Sequence, residues 1–473
     1  MCQPSSRSWH LLLVAFALFL WPNCLRAQVD GIVRRPNTDL LEETNRPPQR
    51  LDPLIQKIVS EISEERVAGI MRRLGAFQTR STVSDPAQTN RGVGAARQWI
   101  FDQFKSYSPR LQVSFDTYTI PKTNRIYKET ELRNVLAILP GKAPDASNRW
   151  IIISGHYDSI NMKDATGLPP AEAAELPAPG VSDDASGTAC AMECARVMSQ
   201  YEFGATLVFV AFAGEEQGLY GSHALAGRLK HENQGIEAVL NNDIIGTDIS
   251  GNGASDKNRV LVFSEDPNDS PSRQMARFVR ATAAKYCTEM AADMIFRHDR
   301  FGRGGDHTSF NQQGYAGVRF TTPNENFSQQ HSSLDTFANA SPAYATRVVR
   351  INAAAAALMA LAPPPPVTSI APGSSASSLT GPNRPGLSRG TGYDAVLRWS
   401  EPEEAPDLAG FIVVVRSTTA PDWEKEFWAG NVHQFTLKDT PIDQIVLGVK
   451  AMDIHGHESP VSAYVNPARA TAQ

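Results

Sequence analysis

Between Asp52 and Phe77 the apolar residues Leu54, Ile55, Ile58, Ile62, Val67, Ile70, Met71 and Leu74 recur every three or four positions. That period predicts one long amphipathic helix or two short ones. A second helix is predicted over 93–107. From residue 134 onward, short apolar runs alternate with helical stretches. Strands are predicted over 134–139, 150–154, 206–212, 238–243, 260–263 and 317–320, and helices over 187–200, 220–228, 272–287 and 344–361. The run Leu207 to Phe212 is apolar at every position, as a central strand covered on both faces must be. The pattern is that of an α/β domain, a doubly wound and mostly parallel sheet flanked by helices.

The pattern changes after residue 362. Pro363 to Pro366 is a stiff spacer, and serine, glycine and proline dominate 373–390. Beyond it, short alternating runs at 395–399, 410–416, 434–437 and 445–451 predict a small all-β sandwich. Through Trp399, Gly410, Val449, Ala451, Asp453, Gly456 and Ser459 this stretch resembles a fibronectin type III module. The resemblance implies a spacer or a binding module for protein or glycan. The expected organisation is a signal peptide at 1–27, a flexible arm or propeptide at 28–50, an α/β domain at 51–362, a linker at 363–390 and the sandwich at 391–473.

Composition narrows the partners. The 473 residues carry 45 basic and 50 acidic side chains, a formal net charge of -5, without the basic footprint that nucleic acid requires. At the N-terminus, Arg7 precedes the apolar stretch 11–20 and a small-residue cleavage site at Leu25-Arg26-Ala27. This is the layout of a secretory signal peptide, too short to span a bilayer. The mature chain is expected to be secreted or periplasmic, with no stable membrane anchor. Cys190, Cys194 and Cys287 remain in it, with no CxxC pair, and Cys190 and Cys194 read as small core residues on a helix.

Five stretches carry candidate chemistry. Strand 206–212 ends at Gly214-Glu215-Glu216, at the sheet edge where α/β proteins bind ligands. Strand 150–154 leads to His156-Tyr157-Asp158, with Asp158 two residues on and able to orient the imidazole. The loop GVSDDASG offers Asp183 and Asp184, either of which would also serve as a helix N-cap. Asp243 closes strand 238–243, and loop-like sequence at 301–336 supplies Asp306, His307, His331 and Asp335. Singly, each has an ordinary structural explanation. Together they form a set of nitrogen and oxygen donors that suits zinc, with enough carboxylates to bridge two ions and leave one as general base.

In order, His156-Tyr157-Asp158, Ser182 to Gly187, Gly214-Glu215-Glu216, Asn242-Asp243, Asp306-His307 and His331 resemble the pattern of the di-zinc aminopeptidases of metallopeptidase family twenty-eight. The resemblance covers roughly 54–361. It implies two zinc ions, one held by His156 and Asp243, the other by Glu216 and His331, with Asp183 bridging. Glu215 would then be the general base, and Asp158 would support His156. Two positions depart from the family: Gly305 stands where a serine is common, and Gln330 where a tyrosine is common.

The implied activity is hydrolysis of the N-terminal bond of peptide substrates. Three rivals share the motif set. A carboxypeptidase would need an arginine for the substrate carboxylate, with Arg297, Arg300, Arg303 and Arg319 as candidates. A glutaminyl-cyclase-like enzyme would use one metal, fewer than these donors can hold. A catalytically silent binding protein would leave the C-terminal module as its working part.

Overall fold

The computed structural model describes residues 51–368, 386–401 and 405–464. The expected signal peptide, the arm at 28–50 and most of the linker lie outside the described residues. The first helical period divides into α1 (Pro53–Glu61) and α2 (Glu64–Gly75), each capped by the side chain before it, Asp52 and Ser63. Then follow α3 (Gly92–Tyr107), β1 (Gln112–Ile120), β2 (Thr130–Leu139), β3 (Trp150–His156), α4 (Ser186–Met198), β4 (Thr206–Phe212) and α5 (Tyr220–His231). The domain continues with β5 (Ile236–Asn242), β6 (Arg259–Ser264), α6 (Pro271–Tyr286), β7 (Ala291–Ile295), α7 (Asp306–Gln312), β8 (Gly317–Thr321) and α8 (Pro342–Leu361).

The strands form one eight-stranded sheet in the order β1-β2-β4-β3-β5-β8-β6-β7. Its centre, β4-β3-β5-β8, is parallel, while β1, β2 and the β8/β6 pairing are antiparallel. The apolar run of β4 divides between two cores. Leu207, Phe209 and Ala211 pack with α4 and α8 on one face, and Val208, Val210 and Phe212 pack against Leu225, Ala226 and Leu229 of α5 on the other. Every β4 residue is therefore buried. The fold class is as expected, an α/β sheet flanked by helices with a small antiparallel region beyond it.

Sequence reasoning missed β1 and β7, the two edge strands. An edge strand is shielded by one neighbour only; β1 alternates between partly buried and exposed positions, and β7 has only two apolar pairs in five residues. Asp306 and His307, expected in a loop, begin α7, whose seven residues are too few to display a helical period. Tight contacts align the strand ends. A Cβ on Gly155 would lie 2.2 Å from the Gly187 carbonyl carbon, so β3 and α4 approach at a distance that glycine alone permits.

The C-terminal region comprises β9 (Gly386–Arg389), β10 (Ala395–Arg398), β11 (Leu408–Ser417), β12 (Lys425–Gly430), β13 (Gln434–Leu437), β14 (Ile445–Asp453) and β15 (Ser462–Ala463). They form two antiparallel sheets, β13-β10-β9 and β12-β11-β14-β15, closed over Trp399, Phe411 and Val449. β9 falls within the stretch read as linker. This region docks on α6: Arg277 Nε donates to the Pro421 carbonyl at 2.6 Å, and Arg280 lies 3.4 Å from Asp422. Arg416 pairs with Asp269 of the preceding loop.

A buried imidazole adds a second tie. His457 Nε2 is 2.7 Å from Asp52 Oδ2 at the start of α1, and its Nδ1 is 2.6 Å from Asp453 Oδ2. Burial opposes charge on His457, but hydrogen bonds to Asp453 and Asp52 outweigh it and raise its pKa. For Asp52 burial again opposes the charge, and the His457 bond with the Ile55 and Leu54 amides lowers its pKa. A raised histidine stabilises fully below its unfolded pKa of about 6.5 and loses that contribution as pH climbs through the folded value. A depressed aspartate contributes above about 3.9 and loses it as pH falls. The tie is therefore strongest between about pH 4 and 6.5. The stability gap between the wild-type chain and His457→Gln, measured by urea unfolding, is expected to shrink steadily from pH 6 to 9; a constant gap would show that the imidazole carries no charge there.

Candidate metal centre

β3, β4 and β5 run parallel and end side by side, which brings three loops together at their carboxyl ends. β3 ends at His156, β4 runs through Ala213-Gly214 to Glu215 and Glu216, and β5 is followed directly by Asp243. Gly214 adopts φ +72°, a turn that favours glycine and sends both glutamates across the strand ends. Asp183 comes from the segment before α4 and His331 from the loop after β8, with φ +53°.

Their side chains converge. His156 Nε2 lies 3.3 Å from Asp183 Oδ1, 3.8 Å from Asp243 Oδ1 and 4.0 Å from Glu215 Oε2. His331 Nε2 lies 3.1 Å from Asp183 Oδ2 and 3.2 Å from Glu216 Oε2. Asp183 thus points one oxygen at each histidine. Two donor groups of ion-binding size result, His156 with Glu215 and Asp243, and Asp183 with Glu216 and His331. All six residues proposed from sequence as ligands or base meet here, with Glu215 inside the first group.

Asp158 is the keystone beneath them. Its carboxylate accepts from the Glu215 and Glu216 amides at 3.2 and 3.1 Å and from the Thr82 hydroxyl at 3.0 Å, and its Oδ1 is 3.5 Å from His156 Nδ1. Its backbone carbonyl is 3.2 Å from the same ring nitrogen. A donor–acceptor contact there leaves Nε2 to face the site. The two adjacent aspartates also separate. Asp184 turns inward, accepting from the Gly187 amide at 2.8 Å and the His156 amide at 3.0 Å, so it caps α4 while Asp183 faces the cavity. Asp335 holds that turn, accepting from the Ser182 and Asp183 amides at 2.8 and 2.9 Å.

Two motif residues stand apart. His307 Nε2 donates to the His298 carbonyl, 2.7 Å away, and burial depresses its pKa to about 4, so it is a neutral structural histidine. Asp306, buried at the start of α7, belongs to neither donor group, and burial pushes its carboxyl up to about 7. Two supports escaped sequence reasoning. Arg80 is fully buried and donates to the carbonyls of Tyr157 at 2.6 Å, Leu74 at 3.0 Å and Gly180 at 2.8 Å, and to that of Pro179. It ties the His156 loop to the Asp183 loop. Arg319, considered above only as a substrate anchor, is buried with Nη1 3.0 Å from Asp243 Oδ2 and 2.9 Å from the Gly304 carbonyl.

These residues fit zinc. His156 Nε2 and Glu216 Oε1 are buried without hydrogen-bond partners, and both belong to the converging set. Four carboxylates in so small a space repel one another and are costly to bury unless cations compensate them. Burial works against charge on His156, yet Glu215 and the surrounding aspartates raise its pKa well above normal. Burial likewise opposes charge on His331, and Asp183 and Glu216 raise it to about 11. Without metal, protons on the two rings supply that compensation; metal binding would displace them. Asp183→Asn is expected to weaken zinc retention against a competing chelator by about tenfold or more, read as metal per chain by atomic absorption, with far-UV dichroism unchanged. Undiminished zinc would remove Asp183 from the ligand set.

Comparison with known proteins identifies the family. The model of Peptidase family M28 matches residues 134–356, which span β2 to α8 and all six converging residues. A probable zinc metalloprotease of Pyricularia oryzae is 35% identical over 448 residues, covering 87% of this chain and 84% of the relative. One of Leptosphaeria maculans is 34% identical, over 86% and 95%. The fold is similar to that of the LapA aminopeptidase of Legionella pneumophila, with a TM-score of 0.50 at 19% identity, over 67% of this chain and 77% of that one. An aminopeptidase from Aneurinibacillus sp. strain AM-1 gives 0.50 at 17% identity, over 65% and 96%. The chain belongs to peptidase family M28 and is a zinc metallopeptidase.

Proposed function

We propose that this chain is an exported aminopeptidase that binds two zinc ions and hydrolyses the N-terminal bond of peptides with Glu215 as general base. The observation that carries the reading is the Asp183 carboxylate, with one oxygen directed at His156 and the other at His331. A shared carboxylate between two histidine–carboxylate pairs is what a two-ion site requires. His156 and Asp243 would hold one ion, Glu216 and His331 the other, and Asp183 both.

When bound, such ions lower the pKa of water from about 15.7 towards about 7 and polarise the scissile carbonyl. The remaining steps fall to side chains. Glu215 is held by its amide on Asp158, and its carboxylate is not needed to complete either histidine–carboxylate pair. Burial raises its pKa well above normal; His156 works against this, and Asp243, Glu216 and Asp306 add to it. A carboxylate of raised basicity suits a group that takes the proton of the attacking water and returns it to the leaving amine. Asp158 sets the tautomer and angle of His156 and fixes the start of the Glu215-Glu216 loop.

The carboxypeptidase reading loses support from its candidate anchors. Arg319 is committed to Asp243, Arg300 to Asp299 and Glu325, and Arg303 to Glu325. Arg297 lies 6.0 Å over the Phe301 ring. A binding protein without catalysis would have no need of the intact donor set. For the C-terminal region, strand order β13-β10-β9 beside β12-β11-β14-β15 supports a fibronectin type III-like module that binds protein or glycan. Secretion or periplasmic residence rests on residues 1–27 alone.

Chelator-sensitive cleavage of aminoacyl-anilides by the mature chain, with N-acetylated peptide acids untouched, is the expected outcome. Cleavage of the blocked acids instead would overturn the assignment in favour of a carboxypeptidase. Glu215→Gln is expected to keep its zinc and lose about two to four orders of magnitude in kcat. Wild-type turnover in that variant would transfer the base to another residue.

A further inference from the structure

A cleft of about 550 Å³ lies between α6 and the C-terminal sheets, on a different part of the molecule from the zinc ligands, none of which lines it. Phe278 and Ala281 of α6 form one wall, Leu358 of α8 contributes below them, and Trp423 and Val461 form the other wall. Lys450, with its ammonium 2.7 Å from Glu426 and 2.6 Å from Glu458, closes one side. On the α6 side Arg277 and Arg280 also line the cleft and are held by the Pro421 carbonyl and Asp422, so between these paired charges the apolar contact comes from Phe278, Ala281, Leu358, Trp423 and Val461. A volume of this order, within the roughly 300–1,000 Å³ of ordinary ligand sites, has room for a short peptide segment.

The described chain begins at the mouth of this cleft. The Asp52 amide donates to Tyr286 Oη at 3.0 Å, and Asp52 Oδ2 is 2.7 Å from His457 Nε2. Tyr286 follows Lys285, and His457 stands between Gly456 and Glu458; Lys285, Gly456 and Glu458 all line the cleft. Leu51, 42% exposed, therefore emerges beside the opening. Upstream, Leu40 and Leu41 are the only large apolar side chains between Arg34 and Arg50, and Pro47-Pro48 favours an extended path back to them. At about 3.1 Å per residue the ten residues from Leu51 to Leu41 reach about 30 Å, enough to cross the cleft and turn into it. A segment on so short a tether acts at an effective concentration of roughly millimolar, so a free ligand would have to outcompete it.

We propose that residues 37–50, anchored by Leu40 and Leu41, occupy this cleft and lock the C-terminal module to the peptidase domain. Hydrogen exchange of residues 278–285 in α6 tests this on three chains: one beginning at residue 28, one beginning at residue 51, and the residue-28 chain carrying Leu40→Asp and Leu41→Asp. Both altered chains are expected to exchange faster there by about tenfold or more and to melt several degrees lower, with unchanged far-UV dichroism. Millimolar synthetic peptide 37–50 should restore protection to the chain beginning at 51. If that chain does not fold, the double substitution carries the test alone. Equal protection in every chain would overturn the proposal. Loss of protection only when 369–385 is replaced by a glycine–serine tract of the same length would overturn it too, by assigning the cleft to that segment.

Discussion

Asp183, Glu215, Glu216 and Asp243 are carried into one small volume at the carboxyl ends of three parallel strands, and the surroundings must accommodate that density of negative charge. Each buried, uncompensated carboxylate costs several kcal/mol, so the arrangement persists only with cations or protons between the groups. His156 and His331 stand where those compensating charges belong, each within 3.3 Å of an Asp183 oxygen. The same feature makes the centre suited to cations and strained. Ile244, directly after Asp243, holds φ +61°, a conformation a β-branched residue adopts only where its surroundings enforce it.

What enforces it is a shell of groups that contribute no ligand. Asp158 accepts the amides of both glutamates, Asp335 accepts those of Ser182 and Asp183, and Asp184 accepts those of His156 and Ile244. Each is a buried carboxyl group receiving backbone N–H groups, so each holds a loop in place without adding a mobile side chain to the cavity. Arg80 does the converse, giving its guanidinium protons to four carbonyls on the loops around Tyr157 and Gly180 and on α2. The ligands sit on irregular segments. Their positions are nevertheless fixed by hydrogen bonds to the rigid ends of β3 and α4, which is the condition for holding donors to a fraction of an ångström.

The legible part of this protein was the part governed by burial on both faces. β3, β4 and β5 read as apolar runs, and strand polarity put His156, Glu215, Glu216 and Asp243 at the ligand-binding edge of the sheet, although only the ordered motif set singled them out from ordinary strand-end residues. Asp183 and His331 lie on turns whose geometry no period encodes; only the ordered motif set pointed to them. Arg80 and Arg319 were illegible for another reason. Arginine is almost never fully buried unless paired, so an arginine reads as solvated, in a loop or at a strand end alike, until its partners, 77 residues away at Tyr157 or 76 at Asp243, are brought to it. Likewise β1 and β7 hid because an edge strand needs only half the apolar surface of a central one.

Gly305 and Arg319 explain each other. A Cβ on residue 305 would come within 2.8 Å of Arg319 Nη1 and 3.4 Å of Asp243 Oδ2, so the serine that the family resemblance would put at this position has no room while the guanidinium is there. Where a serine hydroxyl could offer one neutral hydrogen bond, Arg319 brings a full charge to the Asp243 oxygen that faces away from His156. Charge-assisted bonds of this kind are roughly twice as strong as neutral ones, so Asp243 gains orientation. It also shares part of its negative charge with a partner outside the donor group. Glu216, the corresponding carboxylate, pairs with His331 at 3.2 Å, while the Arg125 guanidinium donates to its backbone carbonyl at 2.7 Å. The two halves of the centre are thus alike in donor types and unequal in support, with a buried arginine fixing the outer carboxylate oxygen of the His156–Asp243 half.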